Sequence, residues 1–507
     1  MKHYAFFSVE FPYKYRLLIS FFAGLFLPLA YAPFNLFWLA PLSYACLFFS
    51  WNRLKPSRSF ICGFIFGCTS FFSGIHWVYV SIHDFGQLHP VIAALLTLLL
   101  VMVLACYTGL TGCVAVRWFP SEGPKAWLVS FPAIWVLFEW LRGWFLSGFG
   151  WLSAGYSQTD SWLMGFAPIG GVYLMSWIVL LSAGSIVCIL IGSSRLRIRV
   201  LFFMAILWGI GFTLNKYSWG YGNGRALTVS LIQGAIPQDI KWQPEQFIPT
   251  LELYKSLTEE SKDSHLILWP EAAIPALYHT VEGFLEEVNA IALENGSTVA
   301  LGILRDDPSG ETIQNTLAIL DEETRFYVKR HLVPYGEVFP VPGFIRNWLR
   351  LMNLPYTDLA SGEPDQPPMQ IAGEMAAITI CYEDLFGAEQ LHYFPKASLI
   401  VNVSNDAWFG DTIAPHQHLQ ISRVRSAEVG RYTLRATNTG ISAVIDPLGK
   451  VVSRSPQFEP HVLKAVVQGY TGSTPYVLWG NYFSTLAAFM VLLIQFLVTK
   501  FTIRPGT

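Results

Sequence analysis

Residues 376–384 read AAITICYED, and this stretch decides the fold of the second half of the chain. A short, apolar and partly β-branched run is typical of a strand in a sheet that is covered on both faces. The run ends at Cys381, so a thiol stands at a sheet end, followed by the acidic residues Glu383 and Asp384. The residues alone leave two interpretations open, an inert buried cysteine or a nucleophile.

Similar apolar runs surround this strand and alternate with helical patterns. The runs cover 227–233, 266–269, 298–304 and 399–403, and the helical patterns cover 246–261 and 281–294. Strands that alternate with helices predict an α/β domain whose sheet is covered by helices. Residues 215–224, rich in Gly, Asn and aromatic side chains, are expected to form the linker that leads into this domain.

The chain as a whole is more apolar than a soluble protein. Of 507 residues, 53% are hydrophobic and 13% are charged, whereas about a quarter are charged in soluble domains. Runs long enough to cross a bilayer, roughly 17 to 25 residues, cover 15–33, 59–80, 91–116, 126–145, 162–192, 199–215 and 477–499, with a weaker one at 36–51. The sequence therefore predicts a multi-span α-helical membrane bundle of about eight spans that carries the α/β domain.

Basic residues mark every second loop between these runs. The loops predicted to be cytoplasmic contain Lys2, Lys14, Arg16, Arg53, Lys55, Arg58, Arg117, Lys125, Arg195, Arg197, Arg199, Lys500 and Arg504. The short loops on the other side contain Arg142 alone. Since Lys and Arg stay on the cytoplasmic side, both termini are expected in the cytoplasm and the α/β domain outside it. In a bacterium this location is the periplasm.

This arrangement predicts three parts of the chain. They are a membrane bundle at 1–219, a periplasmic α/β domain at 220–472, and a closing span with a cytoplasmic tail at 473–507. The first apolar run could instead be a cleaved signal peptide, because it ends in the small-x-small pattern Ala30-Tyr31-Ala32. Either outcome leaves the α/β domain on the same side. The net charge of -2 gives no reason to expect a nucleic-acid partner.

The positions of the cysteines favour a reactive thiol. Cys381 is the only cysteine of the polar part, and the apolar part contains Cys46, Cys62, Cys68, Cys106, Cys113 and Cys188. In an oxidising compartment a lone thiol is a liability unless its reactivity is used. We therefore expect Cys381 to be a nucleophile.

Two further residues end apolar runs in the same way. Glu271 follows Trp269-Pro270, where the proline stops the strand ladder, and Lys329 follows 326–328. Taken alone, each could be an ordinary surface charge. With Cys381 they form a chemical set, because a carboxylate can take the proton of a thiol and an ammonium can stabilise an oxyanion.

The chain resembles the nitrilase superfamily in the blocks that hold its Glu-Lys-Cys triad: Trp269-Pro270-Glu271, Lys329 ahead of 333–337, and Cys381-Tyr382-Glu383. In this order and beside a membrane bundle, the blocks resemble the apolipoprotein N-acyltransferase family. The resemblance extends to 233–238 with Lys241-Trp242, to 404–410, 415–418 and 435–440, and to 148–151 and 155–158 in an outer loop.

This resemblance implies an αββα sandwich and a ping-pong reaction. We expect no cofactor or metal. Cys381 would attack the sn-1 ester of a phospholipid, and the resulting thioester would acylate the α-amine of an S-diacylglyceryl-cysteine apolipoprotein. Glu271 would be the general base and Lys329 the oxyanion stabiliser. The implied supporting residues are Glu337, Tyr382 and Glu383, and the implied substrate-binding residues are Phe149, Trp151, Trp242, Asn405 and Trp408.

The expected setting is the inner membrane of a bacterium. Both substrates are lipids of the bilayer, so we expect outer ends of the spans, including Phe149 and Trp151, to form a groove open to lipid. The protein is expected to be a monomer.

Other polar residues have simpler interpretations. His416 and His418 are two positions apart and cannot chelate zinc from one helix face. Arg423, Arg425, Arg431 and Arg435, with Glu428 between them, look like a solvated helix followed by a strand, and a contact with a phosphate headgroup is the alternative. Glu139 and Arg142 are expected to be either a functional intramembrane pair or, for Arg142, an interfacial side chain.

Three other functions stay open at this point. A membrane-tethered amidase of the nitrilase superfamily would use water to resolve the thioester. A transporter with an accessory domain is disfavoured, because the spans contain no chain of ionisable residues. A receptor domain without catalysis would place Glu271, Lys329 and Cys381 far apart.

Overall fold

A computed structural model describes residues 11–338 and 358–502. The chain divides into two compact units, one formed by Met1–Tyr217 with Leu478–Thr507 and the other by Ser218–Val477. Lys2 and Arg504, on which part of the predicted orientation rests, lie outside the described residues.

The α-helices are α1 Tyr13–Phe26, α2 Leu39–Trp51, α3 Pro56–Gly74, α4 Trp77–Val80, α5 Pro90–Trp118, α6 Phe131–Arg142, α7 Ala167–Ile191, α8 Ser194–Leu214, α9 Pro244–Glu260, α10 Glu282–Glu294, α11 Ala414–Val429, α12 Pro475–Trp479 and α13 Tyr482–Thr502. The strands are β1 Gly220–Gln233, β2 Leu266–Leu268, β3 Thr298–Asp306, β4 Ile313–Leu320, β5 Arg325–Val328, β6 Met369–Ile371, β7 Glu374–Ile380, β8 Leu399–Ser404, β9 Tyr432–Thr437, β10 Ala443–Ile445, β11 Val451–Arg454 and β12 His461–Gly472. Short 3-10 or π turns cover Leu27–Ala30, Ser81–Phe85, Ala126–Ser130, Phe145–Ser147, Ala154–Gln158, Trp162–Phe166, Tyr278–Thr280, Cys381–Leu385, Gly387–Tyr393 and Asp406–Phe409.

The first unit contains helices of membrane-spanning length. Within the described residues, five are long and apolar enough to cross a bilayer: Tyr13–Ala30, Pro90–Trp118, Trp162–Ile191, Ser194–Leu214 and Tyr482–Lys500. A sixth results if Pro56–Gly74 and Trp77–Phe85, bent by 55°, form one span. The expected runs at 36–51 and 126–145 hold shorter helices, α2 and the turn Ala126–Ser130 followed by α6. The helices therefore fit a membrane domain.

Glycines let two of these helices approach closely. A Cβ on Gly63 of α3 would lie 2.5 Å from the carbonyl oxygen of Thr108 in α5, and one on Gly67 would lie 2.8 Å from Cα of Ala105. Small residues at such contacts bring helix backbones together where lipid supplies no hydrophobic driving force. The close contact between α3 and α5 is thus possible because Gly63 and Gly67 have no side chain.

The charged pair near the end of α6 fixes the loop that follows. Arg142 is buried and donates hydrogen bonds to the carbonyl oxygens of Phe149 at 2.6 Å and Trp151 at 2.7 Å. Glu139 accepts one from the backbone N–H of Ala154 at 2.9 Å. Two interpretations were open for Arg142, an intramembrane pair with Glu139 or an interfacial side chain, and the structure shows a guanidinium buried against loop carbonyls.

The second unit is built from two mixed, six-stranded sheets. Their strand orders are β12-β1-β2-β3-β4-β5 and β11-β10-β9-β8-β7-β6. Strands β1, β2 and β3 run parallel, as do β7, β8 and β9, and the other pairs are antiparallel. Pairing already starts at Gly220 opposite Gly472. The predicted linker 215–224 was therefore too long, since its last residues belong to β1.

The two sheets pack face to face and helices cover their outer faces. Apolar side chains of both sheets, such as Leu268 and Ile378, share one core. On the outer face of the first sheet, Ile267 packs with Tyr254 of α9 and Val288 of α10. Leu419 of α11 packs with strand residues of the second sheet. The layers are α, β, β and α, and the prediction of an α/β domain is confirmed.

Substituting Gly63 tests the α3–α5 contact. We expect Gly63→Val to destabilise the folded protein by about 1 to 3 kcal/mol, because the new side chain would push the two backbones apart. Gly209→Val is the matched control, since a Cβ at Gly209 of α8 meets nothing within 4 Å. Thermal unfolding in detergent measures both. Equal melting temperatures for the two variants would contradict the described packing.

Candidate active site

Three strand ends bring the predicted triad together. Glu271 follows β2 after Trp269-Pro270, Lys329 follows β5 directly, and Cys381 follows β7 directly. The first two strands belong to one sheet and β7 to the other. The face-to-face packing of the sheets therefore places a carboxylate and an ammonium opposite a thiol.

Lys329 lies between two carboxylates. Its Nζ is 2.9 Å from Oε1 of Glu271 and 2.9 Å from Oε1 of Glu337. Both Lys329 and Glu271 are buried, so water does not screen the ion pairs. The ammonium is fixed at the junction of the two carboxylates.

Asn315, which sequence reasoning missed, holds the same two carboxylates from the middle of β4. Its Nδ2 donates to Oε1 of Glu271 at 2.8 Å and to Oε1 of Glu337 at 3.0 Å. The second oxygen of Glu271 accepts the backbone N–H of Asn405 at 2.8 Å. The signal in the sequence is a polar amide in an otherwise apolar strand, since such a group needs partners when buried.

The charges of this cluster support each other. Burial opposes the ionised form of Glu271, but Lys329 and the hydrogen bonds to its carboxylate hold its pKa below the ordinary value. Burial likewise opposes the ammonium of Lys329, and the charges of Glu271 and Glu337 raise its pKa well above the ordinary value. At neutral pH Glu271 is therefore an ionised carboxylate and Lys329 a cation.

Cys381 begins a 3-10 turn and has a φ of +52°. A non-glycine residue in this left-handed region is strained and persists only where its surroundings hold it. Burial, followed by the charge of Glu271, raises the pKa of the thiol above its ordinary value, although Lys329 opposes this. The thiol in turn is one of the groups that lower the pKa of Glu271. Cys381 is thus a protonated thiol at rest, with a carboxylate in place to take the proton.

Two of the predicted supporting residues hold strand ends. Glu337 accepts the backbone N–H of Val333 at 2.8 Å in addition to Lys329. Glu383 accepts the N–H groups of Ile380 and Arg330, each at 2.7 Å. Since these are the neighbours of Cys381 and Lys329, Glu383 links the end of β7 to the end of β5.

Tyr382 points elsewhere in the same turn. Its ring packs on those of His331 and Phe386, with centroids 5.7 and 5.2 Å apart. Tyr382 is buried, and burial raises the pKa of its hydroxyl. Packing beside the turn is the contribution that this structure shows for it.

The predicted substrate-binding residues differ in exposure. Trp242 and Trp408 are 51% and 43% exposed, so both indoles are accessible. Trp151 is 2% exposed and packs on Trp77, which argues against an open groove at this position. Asn405 is buried, with its side chain bonded to Gln238 at 3.0 Å. Its amide is thus engaged inside the protein, where a substrate contact was expected.

The arginines expected on a solvated helix are mostly buried. Arg425 pairs with Glu428 at 2.9 Å, and Arg435 pairs with Asp406 at 3.0 Å and with Asp384 at 3.3 Å. The prediction was wrong because the partner carboxylates of Arg435 come from segments distant in sequence. Within 11–338 and 358–502, no three His, Cys, Asp or Glu side chains group as metal ligands would.

Lys241 is a second buried cation near the triad. Its Nζ has no hydrogen-bond partner among the described residues. Burial lowers the pKa of Lys241 to about 8, while the charge of Glu271 acts in the opposite direction. The sequence signal was weak, because an isolated lysine beside a tryptophan is common on surfaces.

Alkylation of Cys381 tests the electrostatics of the triad. In a chain whose other cysteines are replaced, Glu271→Gln should lower the pH midpoint of iodoacetamide alkylation by about one unit or more, because a nearby negative charge disfavours the thiolate. Lys329→Met should raise the midpoint. Exposed Glu282 supplies the control, and Glu282→Gln should leave it unchanged. An upward shift in Glu271→Gln would show that the carboxylate does not face the thiol.

Comparison with known proteins finds relatives along most of the chain. The family model described as "Apolipoprotein N-acyltransferase N-terminal domain" matches residues 23–185, and that described as "Carbon-nitrogen hydrolase" matches residues 228–476. The apolipoprotein N-acyltransferases of Methylococcus capsulatus and Nitrosomonas europaea are each 40% identical to this chain, over 92% of it and over 93% and 94% of their own lengths. That of Vibrio cholerae is 38% identical over 92% of this chain and 94% of its own. The chain belongs to the apolipoprotein N-acyltransferase family.

Proposed function

We propose that this chain moves an acyl group from the sn-1 position of a phospholipid, through a thioester on Cys381, to the α-amine of an S-diacylglyceryl-cysteine apolipoprotein. The observation that carries the proposal is a carboxylate, paired at 2.9 Å with a buried ammonium, at strand ends that pack against the one that carries the Cys381 thiol, so that both charges act on this thiol. Membership of the family supports the acceptor, and the apolar helices of the first unit support a lipid donor.

In the first half-reaction, the proton of the Cys381 thiol moves to Glu271 while sulfur forms a bond to the ester carbonyl carbon. The carbonyl oxygen becomes an oxyanion, which the ammonium of Lys329 stabilises. Collapse of the intermediate breaks the ester C–O bond. The leaving alkoxide then takes the proton back from Glu271, giving a thioester and a lysophospholipid.

In the second half-reaction, the α-amine of the apolipoprotein attacks the thioester carbonyl. Glu271 accepts a proton from the attacking nitrogen, and Lys329 again stabilises the oxyanion. The C–S bond breaks, an amide remains, and the proton passes from Glu271 to the Cys381 thiolate. The enzyme returns to its starting state because the same two groups act in both steps.

Glu337 and Glu383 support these steps without contacting the substrate. Glu337 shares Lys329 with Glu271, so the ammonium keeps a counter-ion when Glu271 is protonated. Glu383 keeps the strand ends of Lys329 and Cys381 in register. We assign the exposed indoles of Trp242 and Trp408 to substrate contact. Phe149 and Trp151 belong to the loop that Arg142 holds. We assign the half-buried Phe149 to the lipid-facing side, whereas the buried Trp151 would shape the loop from within.

We also propose that the chain is a monomer that crosses the inner membrane of a bacterium eight times. Residues 1–219 and 473–507 would form the bundle, with both termini in the cytoplasm, and 220–472 would be periplasmic. Alternation of basic loops supports this orientation. The shorter helix α2, and α6 with the turn before it, would supply two of the spans.

A thioester on Cys381 is the product to look for. Purified enzyme incubated with phospholipid that is radiolabelled in its sn-1 acyl chain should acquire label that hydroxylamine removes at neutral pH. Cys381→Ala should acquire none, because it lacks the nucleophile. Cys106→Ala, which changes a partly buried cysteine of α5, is the matched control and should label normally.

The same labelled enzyme separates the proposal from its closest rival. On addition of a diacylglyceryl-modified lipopeptide, label should move to the peptide amine within the turnover time. Release of free fatty acid in place of acylated peptide would identify a hydrolase. Labelling of Cys381→Ala at the wild-type rate would refute the thioester.

Removing an exposed indole tests substrate contact. We expect Trp242→Ala to raise the KM for one lipid substrate about tenfold with a smaller change in kcat, since the side chain would bind lipid without touching the reacting atoms. Tyr221→Ala changes another exposed aromatic residue of the same unit and should leave both constants unchanged. Steady-state kinetics in mixed micelles measure both constants. An equal rise in KM in the two variants would count against a contact at Trp242.

A further inference from the structure

A buried histidine on α11 contacts the backbone of the nucleophile. Nε2 of His418 lies 3.2 Å from the carbonyl oxygen of Cys381, and Nδ1 lies 2.9 Å from Oδ1 of Asp406. A carbonyl and a carboxylate only accept hydrogen bonds, whereas a neutral imidazole has a single N–H. Both contacts are satisfied together when the ring of His418 carries two protons.

The surroundings of His418 balance this charge. Asp406 also accepts hydrogen bonds from Nη2 of Arg435 at 3.0 Å and from Oγ of Ser404 at 3.1 Å. Although burial opposes ionisation, Arg435 and His418 hold the pKa of Asp406 below its ordinary value. Arg435 also forms an ion pair with Asp384, which lies three residues after Cys381. A chain of contacts thus runs from His418 through Asp406 and Arg435 to Asp384, in the turn that carries the nucleophile.

The contacted carbonyl controls the conformation of Cys381. The peptide bond from Cys381 to Tyr382 is trans, so fixing its C=O also fixes the direction of the N–H on the opposite side. Cys381 is held at a φ of +52°, which L-residues rarely adopt without support. A hydrogen bond from a charged donor is stronger than one from a neutral donor. His418 is therefore well suited to hold this strained peptide.

We propose that His418 is a positioning residue, an imidazolium that is held by Asp406 and keeps the Cys381 peptide in the conformation from which the thiol meets Glu271. This inference rests on the proposed role of Cys381 as the nucleophile. His418 transfers no proton and contacts no substrate. It acts through the backbone of Cys381, which does both.

Two substitutions at His418 test the role, and the acylation half-reaction is the readout. His418→Leu removes the hydrogen bonds to Cys381 and Asp406 and should slow single-turnover formation of the acyl-enzyme about 100-fold, the cost of misplacing a reacting atom by about 1 Å. His418→Gln keeps one N–H donor that can reach the Cys381 carbonyl and should recover about tenfold of that loss. The KM for the phospholipid should stay within about twofold of the wild type in both variants.

His392→Gln is the matched control. Both ring nitrogens of His392 also lie near backbone carbonyl oxygens, those of Glu389 at 2.8 Å and Gln366 at 3.0 Å, but His392 is exposed and does not contact Cys381. We expect its acylation rate to equal that of the wild type.

The outcomes distinguish this inference from the proposed function. If the wild type forms no thioester, the function itself fails. If the wild type is acylated and either His418 variant reacts within twofold of it, or the loss lies in KM, the positioning role is overturned. If thermal unfolding shows that His418→Leu is not folded, the folded variant His418→Gln provides the test. A tenfold lower acylation rate of His418→Gln at unchanged KM then supports the role.

Discussion

The site depends on one buried ammonium shared by two carboxylates. Lys329 sits between Glu271 and Glu337, at 2.9 Å from each. A buried cation without partners would lose its proton, and a buried carboxylate without partners would gain one. Lys329 and Glu271 therefore keep each other ionised. The proposed chemistry needs both states at once, a base without its proton and a cation for the oxyanion.

The fold supplies this arrangement through strand ends. Parallel strands in the centre of each sheet end at the same edge, where backbone groups are no longer paired and side chains can turn toward a common point. Glu271 and Lys329 come from one sheet and Cys381 from the other, so the packing of the two sheets sets the distance between base and nucleophile. Glu383 strengthens this geometry by binding backbone N–H groups beside both Lys329 and Cys381.

Sequence patterns predicted the site residues that end apolar runs. They missed the site residues that lie inside a strand or a helix. Glu271, Lys329 and Cys381 were recognisable because each interrupts an apolar strand at its end. Asn315 lies within a strand, and His418 within a helix whose arginines looked solvated. Their partners come from other segments, Glu271 for Asn315 and Asp406 for His418, and periodicity does not reveal pairs of that kind. In the helical unit, the burial of Arg142 depends on loop carbonyls that hydropathy cannot register.

The most direct test is the structure of the acylated enzyme at a resolution that shows the thioester carbonyl. Lys329 and Cys381 are the residues to compare. If the ammonium stabilises the oxyanion, Nζ of Lys329 will lie about 3 Å from the thioester oxygen while still paired with Glu337. A carbonyl oxygen turned away, with Nζ more than about 4 Å distant, would contradict the account.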